Sequence, residues 1–208
     1  VWASSAKQLV RWRPGAGPEH RTLFAKPNTN DGIASVILPG LTAVVCCRGD
    51  DKQLTTVRDL PGGALRHALP VRASEARFLT AGRDGAWVAT VAPRPDDRRV
   101  RVWDAAAGRE RFTAEFAARV GGLASAPDGR TLAVGVSDIG RGAHNGIALL
   151  DPDTGDQSAV LLTKRRGVMA LAYSADGKTL AAGFGGRVQV WDVPRRRLVR
   201  TIDGFEQT

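Results

Sequence analysis

Few side chains in this sequence stand where they could do chemistry. Histidine occurs three times, at His20, His67 and His144. A zinc site needs further His or Cys donors at short, regular spacing, and none of the three has one. His67 sits in the alternating ALRHAL, which reads as an outer strand, and His144 in the loop segment GRGAHNG. Asp151–Asp156, DPDTGD, sets acids at near-alternate positions like part of a calcium loop, without the downstream Glu or the loop length. The GFGG of Gly183–Gly186 resembles a phosphate cradle, yet no helix follows to supply its amides. The carboxylate pairs Asp50-Asp51 and Asp96-Asp97 lie in turns, where Asp serves local hydrogen bonding rather than proton transfer. No Ser stands in a nucleophile elbow, and neither Cys has a His and an acid in logical sequence relation. The segment reads as non-catalytic, with no cofactor and no metal. The parent protein's own chemistry is left open.

Composition sets the wider bounds. Of 208 residues, 43% are apolar and 25% charged, the balance of a globular chain rather than a disordered one. The longest apolar stretch, Ile33–Cys47, is broken by Pro39 and Gly40 and falls short of a membrane span. No basic-then-apolar leader opens the sequence, and a start at Val1 rather than Met points to sequence before it. Cys46 and Cys47 are adjacent and would point to opposite faces of a strand, so they are badly placed to bond each other. Without a disulfide framework, the expected compartment is reducing, the cytoplasm. The net charge of +9 comes from an Arg-dominated set in which Lys occurs only 5 times. Arg, Ala, Gly and Pro share GC-rich codons, and the positives are spread along the chain, so nucleic-acid binding is the lesser reading.

Self-comparison organises the chain. An alternating apolar stretch, then Asp or a substitute, then a short turn recurs at Leu9–Gly17, Thr55–Gly63, Val100–Gly108, Ile147–Gly155 and Val188–Arg196. The anchors Arg13, Asp59, Asp104, Asp151 and Asp192 are separated by 46, 45, 47 and 41 residues. A second phrase precedes the first in register, at Ala81–Thr90, Ser125–Val134 and Ser174–Gly183. Two phrases in fixed order over one period define a repeat.

Each repeat reads as four short strands. In the last, Val168–Tyr173, Leu180–Gly183, Val188–Trp191 and Leu198–Ile202 are separated by turns at Asp176-Gly177, Gly185-Gly186 and Pro194. The preceding repeat gives Leu123–Ser125, Thr131–Val136, Ile147–Leu150 and Ser158–Leu162. Arg109–Ala118 is the nearest approach to a helical pattern, but its place in the repeat calls for a strand. The first repeat is partial, with strands expected at Trp2–Ser4, Leu9–Trp12 and Thr22–Phe24. A four-stranded sheet of this size cannot cover both its faces, so such sheets must stack on one another.

These units resemble WD40 repeats, and the chain resembles part of a WD40-type β-propeller. The Trp-Asp pair itself stands at Trp103-Asp104 and Trp191-Asp192, and degenerate forms at Trp12-Arg13, Arg58-Asp59 and Leu150-Asp151. The family's Gly-His ahead of the first strand is absent, so its His-Asp network is not expected here. The reading is an all-β segment over 1–208, with repeats near 1–27 (partial), 28–70, 71–116, 117–163 and 164–208. Family rings usually hold seven blades, which implies an incomplete ring with remaining blades or fused domains elsewhere. A first strand supplied from beyond Thr208, or five self-closing blades, are the alternatives. Trp12, Trp103 and Trp191 share one repeat slot and are expected to pack between blades or cover a blade face. Trp87 is expected in a second-strand core, and Trp2 at a frayed start.

The resemblance implies a non-catalytic scaffold that binds a protein partner through loops on one rim, the inter-blade links and the second-to-third strand turns. Arg72, Arg119 and Lys164-Arg165-Arg166 fall in or beside the links. Arg48, Arg94, Arg98, Arg99 and Arg141 fall in the turns, among Asp50, Asp51, Asp96, Asp97 and Asp138. Arg suits bidentate carboxylate recognition, so an acidic protein segment is the expected partner chemistry. The opposite rim is basic too, through Arg109, Arg111 and Arg195–Arg197. The alternatives are a regulatory or sensory module of a larger signalling enzyme, such as a bacterial kinase, and nucleic-acid binding through the Arg-rich rim. Aromatics for base stacking are not evident on those loops.

Overall fold

A computed structural model describes residues 2–4, 9–13, 17–21, 34–37, 43–47, 54–59, 64–72, 78–91, 98–137, 145–163 and 167–203. Among them there is no helix, only nineteen strands in five antiparallel meanders. The first sheet has three strands, β1 (Trp2–Ser4), β2 (Leu9–Arg13) and β3 (Gly17–Arg21). The second holds β4 (Ala34–Ile37), β5 (Ala43–Cys47), β6 (Leu54–Asp59) and β7 (Leu65–Arg72). The third holds β8 (Phe78–Ala81), β9 (Trp87–Val91), β10 (Arg99–Asp104) and β11 (Arg109–Glu115). The fourth holds β12 (Arg119–Ser125), β13 (Leu132–Ser137), β14 (Gly146–Leu150) and β15 (Gln157–Leu162). The fifth holds β16 (Ala170–Tyr173), β17 (Thr179–Phe184), β18 (Arg187–Asp192) and β19 (Arg197–Asp203). No helix of the described residues is long and apolar enough to cross a membrane.

One expected strand is corrected. The third strand of the partial repeat lies at Gly17–Arg21, whereas Thr22–Phe24 lies outside the described residues. GPEHR has poor strand propensity, and Pro18 is tolerated because β3 is the outer strand of its sheet. Pairing with β2, in which Trp12 opposes Pro18, decides the conformation. Arg109–Glu115 is a strand, as its place in the repeat required.

The first strands β4, β8, β12 and β16 lie side by side in succession, so the sheets fan out from a line of inner strands. Among the described residues a separate core forms in each of the three gaps between the second and the fifth sheets. Val57 and Leu69 of the second sheet meet Ala81, Val88 and Trp103 of the third. Trp87, Ala89, Val91, Val100 and Val102 of the third meet Val120, Leu132, Val134 and Leu150 of the fourth. Ile147, Leu149 and Leu161 of the fourth meet Leu180, Ala182, Phe184 and Trp191 of the fifth. Neither face of a middle sheet is spare, which is why a single repeat has no stable isolated form.

Candidate interaction rims and the anchors that hold them

Two turn sets shape one end of the sheets. The first-to-second strand turns close on Asp-Gly pairs at Gly85, Gly129 and Gly177, each with positive φ. Asp84 accepts the Ala86 N–H, Asp128 the Arg130 N–H and Asp176 the Lys178 N–H. The Ser174 hydroxyl, followed by the Lys178 N–H, holds the Asp176 carboxyl below its ordinary range. The third-to-fourth turns begin at the repeat anchors. Asp104 accepts the N–H groups of Ala106 and Ala107, and Asp151 those of Asp153 and Thr154. Asp192 accepts from the Arg195 backbone and guanidinium, and that guanidinium is the largest cause of its lowered pKa. The anchor acid is therefore a turn cap that accepts from the backbone N–H groups just after it. Asp151 and Asp156 of the calcium-like segment are used in the same way, Asp156 accepting the Thr154 hydroxyl. Among the described residues no cluster of His, Cys, Asp and Glu could hold a metal ion.

At this end the third, fourth and fifth sheets each rest on the one before. The Cα of Gly155 lies so close to Phe112 that an added Cβ would come within 2.9 Å of its ring, and Gly108 approaches His67 in the same way at 3.1 Å. Gly129 faces Arg83, and Gly177 faces Pro127. Arg83 donates to the Pro127 carbonyl at 3.1 Å, and Trp87 Nε1 to the Gly129 carbonyl at 3.1 Å. Arg111 clamps three elements, donating to Asp153 of the fourth sheet, to the Ala86 carbonyl and to Asp104 at 3.4 Å. Its side chain is 19% exposed, so the charge is partly desolvated. The Asp104 carboxyl lies below its usual range, first through the Ala107 N–H, with Ala106 and Arg111 adding to it. Sequence reading placed Arg111 on a basic rim but not in this clamp. Its partner Asp153 is distant along the chain, and only the stacking of sheets brings the two together.

The tryptophans of the shared slot differ. Trp103 is 2% exposed and donates from Nε1 to the Thr90 hydroxyl at 3.0 Å. Trp191, 5% exposed, has a buried Nε1 with no hydrogen-bond partner. The strand register explains the difference: Arg101 opposes Thr90 in the third sheet, and Gln189 opposes Ala182 at the same position of the fifth. Ala182 offers no acceptor. Trp12 and Asp59 lie on β2 and β6, and their side chains lie outside the described residues.

The other end carries two of the expected partner-binding residues, Arg72 and Arg119. Arg72 ends β7, and Arg119 opens β12 half-buried. Arg98 is exposed and donates to the Ala117 carbonyl at 3.3 Å, while its own carbonyl accepts the Phe116 N–H at 2.9 Å. The Thr163 N–H donates to the Asn145 carbonyl at 3.1 Å, tying the next link in the same way. Lys164, Arg165 and Arg166, with Arg48, Arg94, Arg141 and the aspartates among them, lie outside the described residues. Leu162 and Met169, which flank that basic link, are 71% and 62% exposed.

Among curated proteins a search found no match to the chain. A family model does match, that described as WD40: WD domain, G-beta repeat, over residues 156–192. The match runs from the turn before β15 to the anchor Asp192 and takes in four strands, β15 to β18. Residues 156–192 thus match a WD40 repeat, within a succession of four-stranded antiparallel sheets consistent with a WD40-like propeller.

Proposed function

We propose that the chain is a non-catalytic interaction module that presents the loops of one rim to a protein partner. WD40 repeats generally mediate protein–protein interaction, and their propellers are typically non-catalytic. The observation that carries the reading to a place is the grouping at one end of the sheets. Arg98 and Arg119 lie at that end of their sheets, and Leu162 and Met169, which flank the Lys164–Arg166 segment in sequence, are exposed. Large exposed apolar side chains beside cations suit a segment that is acidic and partly apolar. At the other end the turn carboxylates are engaged in caps and clamps, which leaves that end committed to holding the sheets together.

Quantitative pull-down with the chain as bait tests the reading. Lys164→Ser, Arg165→Ser and Arg166→Ser together, and separately Leu162→Ser with Met169→Ser, should each deplete the same partner. A partner set unchanged by both variants refutes it. Partners removed by nuclease treatment would move the function to nucleic acid.

A further inference from the structure

We infer a self-association surface that meets the rim only at Leu162: the outer edge of β15 pairs antiparallel with β15 of a second copy of this chain, about a two-fold axis. An outermost strand keeps its outward backbone N–H and C=O groups unpaired, a template for strand addition. Proteins blunt such edges with charge or proline. Of the five outer strands, β3 carries Pro18 and Glu19, and β7 carries Pro70. At the last paired position the other complete sheets set a charge, Arg72 opposite Leu54, Glu115 opposite Arg99 and Asp203 opposite Arg187. In the fourth sheet that position is Leu162, opposite Gly146. The whole of β15 reads QSAVLL, with neither charge nor proline. The bulge near its start is shared with β7, β11 and β19, so it does not set this edge apart. The fourth sheet has a neighbour against each of its faces. Its outer edge runs across that stack, where no sheet packed face to face covers it.

The side chains agree with the backbone. Val160 opposes Ala148 and Leu162 opposes Gly146, which turns both toward the gap with the third sheet. That sheet is in place, yet Val160 is 42% exposed and Leu162 more so. What selects a second copy is the order of charge along the chain. DPDTGD precedes β15, with Asp153 and Asp156 exposed, and Lys164-Arg165-Arg166 follow it in sequence. Antiparallel pairing of two copies brings the start of each strand beside the end of the other, acid against base at both ends. Parallel pairing would set like against like. Elsewhere the net charge of +9 drives copies apart, which confines association to the edge whose flanks attract.

Sedimentation velocity on the full chain, from about 1 to 100 μM, tests the inference. The chain should pass from monomer to dimer over that range. Val160→Lys should weaken the dimer about tenfold, since the two-fold axis applies one cross-strand charge twice. Leu162→Glu restores the charge that Glu115 supplies at the same position, and should weaken it as well. Both side chains are exposed, so the variants keep their fold, with circular dichroism and a thermal melt as checks. In the unaltered chain, amide exchange over Gln157–Leu162 should slow as concentration rises, while exchange in β7 and β11 stays the same. A monomer at every concentration leaves the edge to a strand of another protein and overturns the inference. A dimer indifferent to both substitutions, or protection that grows on another strand instead, overturns it too.

Discussion

Trp103→Phe and Trp191→Phe are the same change at the same repeat position, and the structure requires them to differ. Each loses the same ring volume from a buried site, so that cost cancels in the comparison. Trp103→Phe also forfeits the bond to Thr90 and leaves a fully buried hydroxyl short of that partner, at a cost of about 1–3 kcal/mol. Trp191→Phe instead removes a buried N–H without a partner, recovering about 1–3 kcal/mol of desolvation. Trp103→Phe should therefore be the more damaging, by no less than about 2 kcal/mol. Urea melts give the stability difference. Amide exchange at Val88 and Leu180, which oppose the two indoles across the sheet, shows which sheet loosened. If Trp191→Phe proves as costly as Trp103→Phe, the account of the two indoles is wrong.

Three further outcomes follow from the contacts between sheets. Gly82→Ala would bring a Cβ within 2.5 Å of Trp87 Nε1 and break its bond to Gly129, so it should cost about 1–3 kcal/mol of overpacking in thermal melts. Asp104 has a lowered folded pKa, so its contribution is present above the ordinary carboxylate range, near 3.9, and is lost as pH falls through the folded value. Asp104→Asn should accordingly lower stability at pH 7 and shrink the drop in melting temperature between about pH 5 and 2, and a drop of unchanged size would refute it. Arg196→Gly should raise stability by about 1 kcal/mol, since glycine takes positive φ without a Cβ clash, and urea midpoints would show it.

The repeat was legible because sheets that must bury both faces keep a regular alternation, and turns that need positive φ keep their Asp-Gly pairs. Asp104, Asp151 and Asp192 could be aligned by eye, and each caps the turn that follows it. β3 was not legible in place, because GPEHR is a strand through its pairing with β2 and not through propensity. The Arg111 clamp and the seating of Gly155 on Phe112 join residues of different repeats, a relation that no local pattern encodes. The contrast between Trp103 and Trp191 was there to be found, in Thr90 against Ala182. It becomes readable only once the strand register says which residue faces which. The rim proposed for the partner rests on the order of loops, which the sequence supplied, and on the exposure of Leu162 and Met169, which it could not.

The overlap of successive turns has a direction. Gly108 rests on His67, Gly129 on Arg83, Gly155 on Phe112 and Gly177 on Pro127, in every case a later repeat on an earlier one. A polypeptide leaving the ribosome N-terminus first would thus present each seat before the part that occupies it. Every new repeat then finds its support already in place and need not wait for sequence still to be translated.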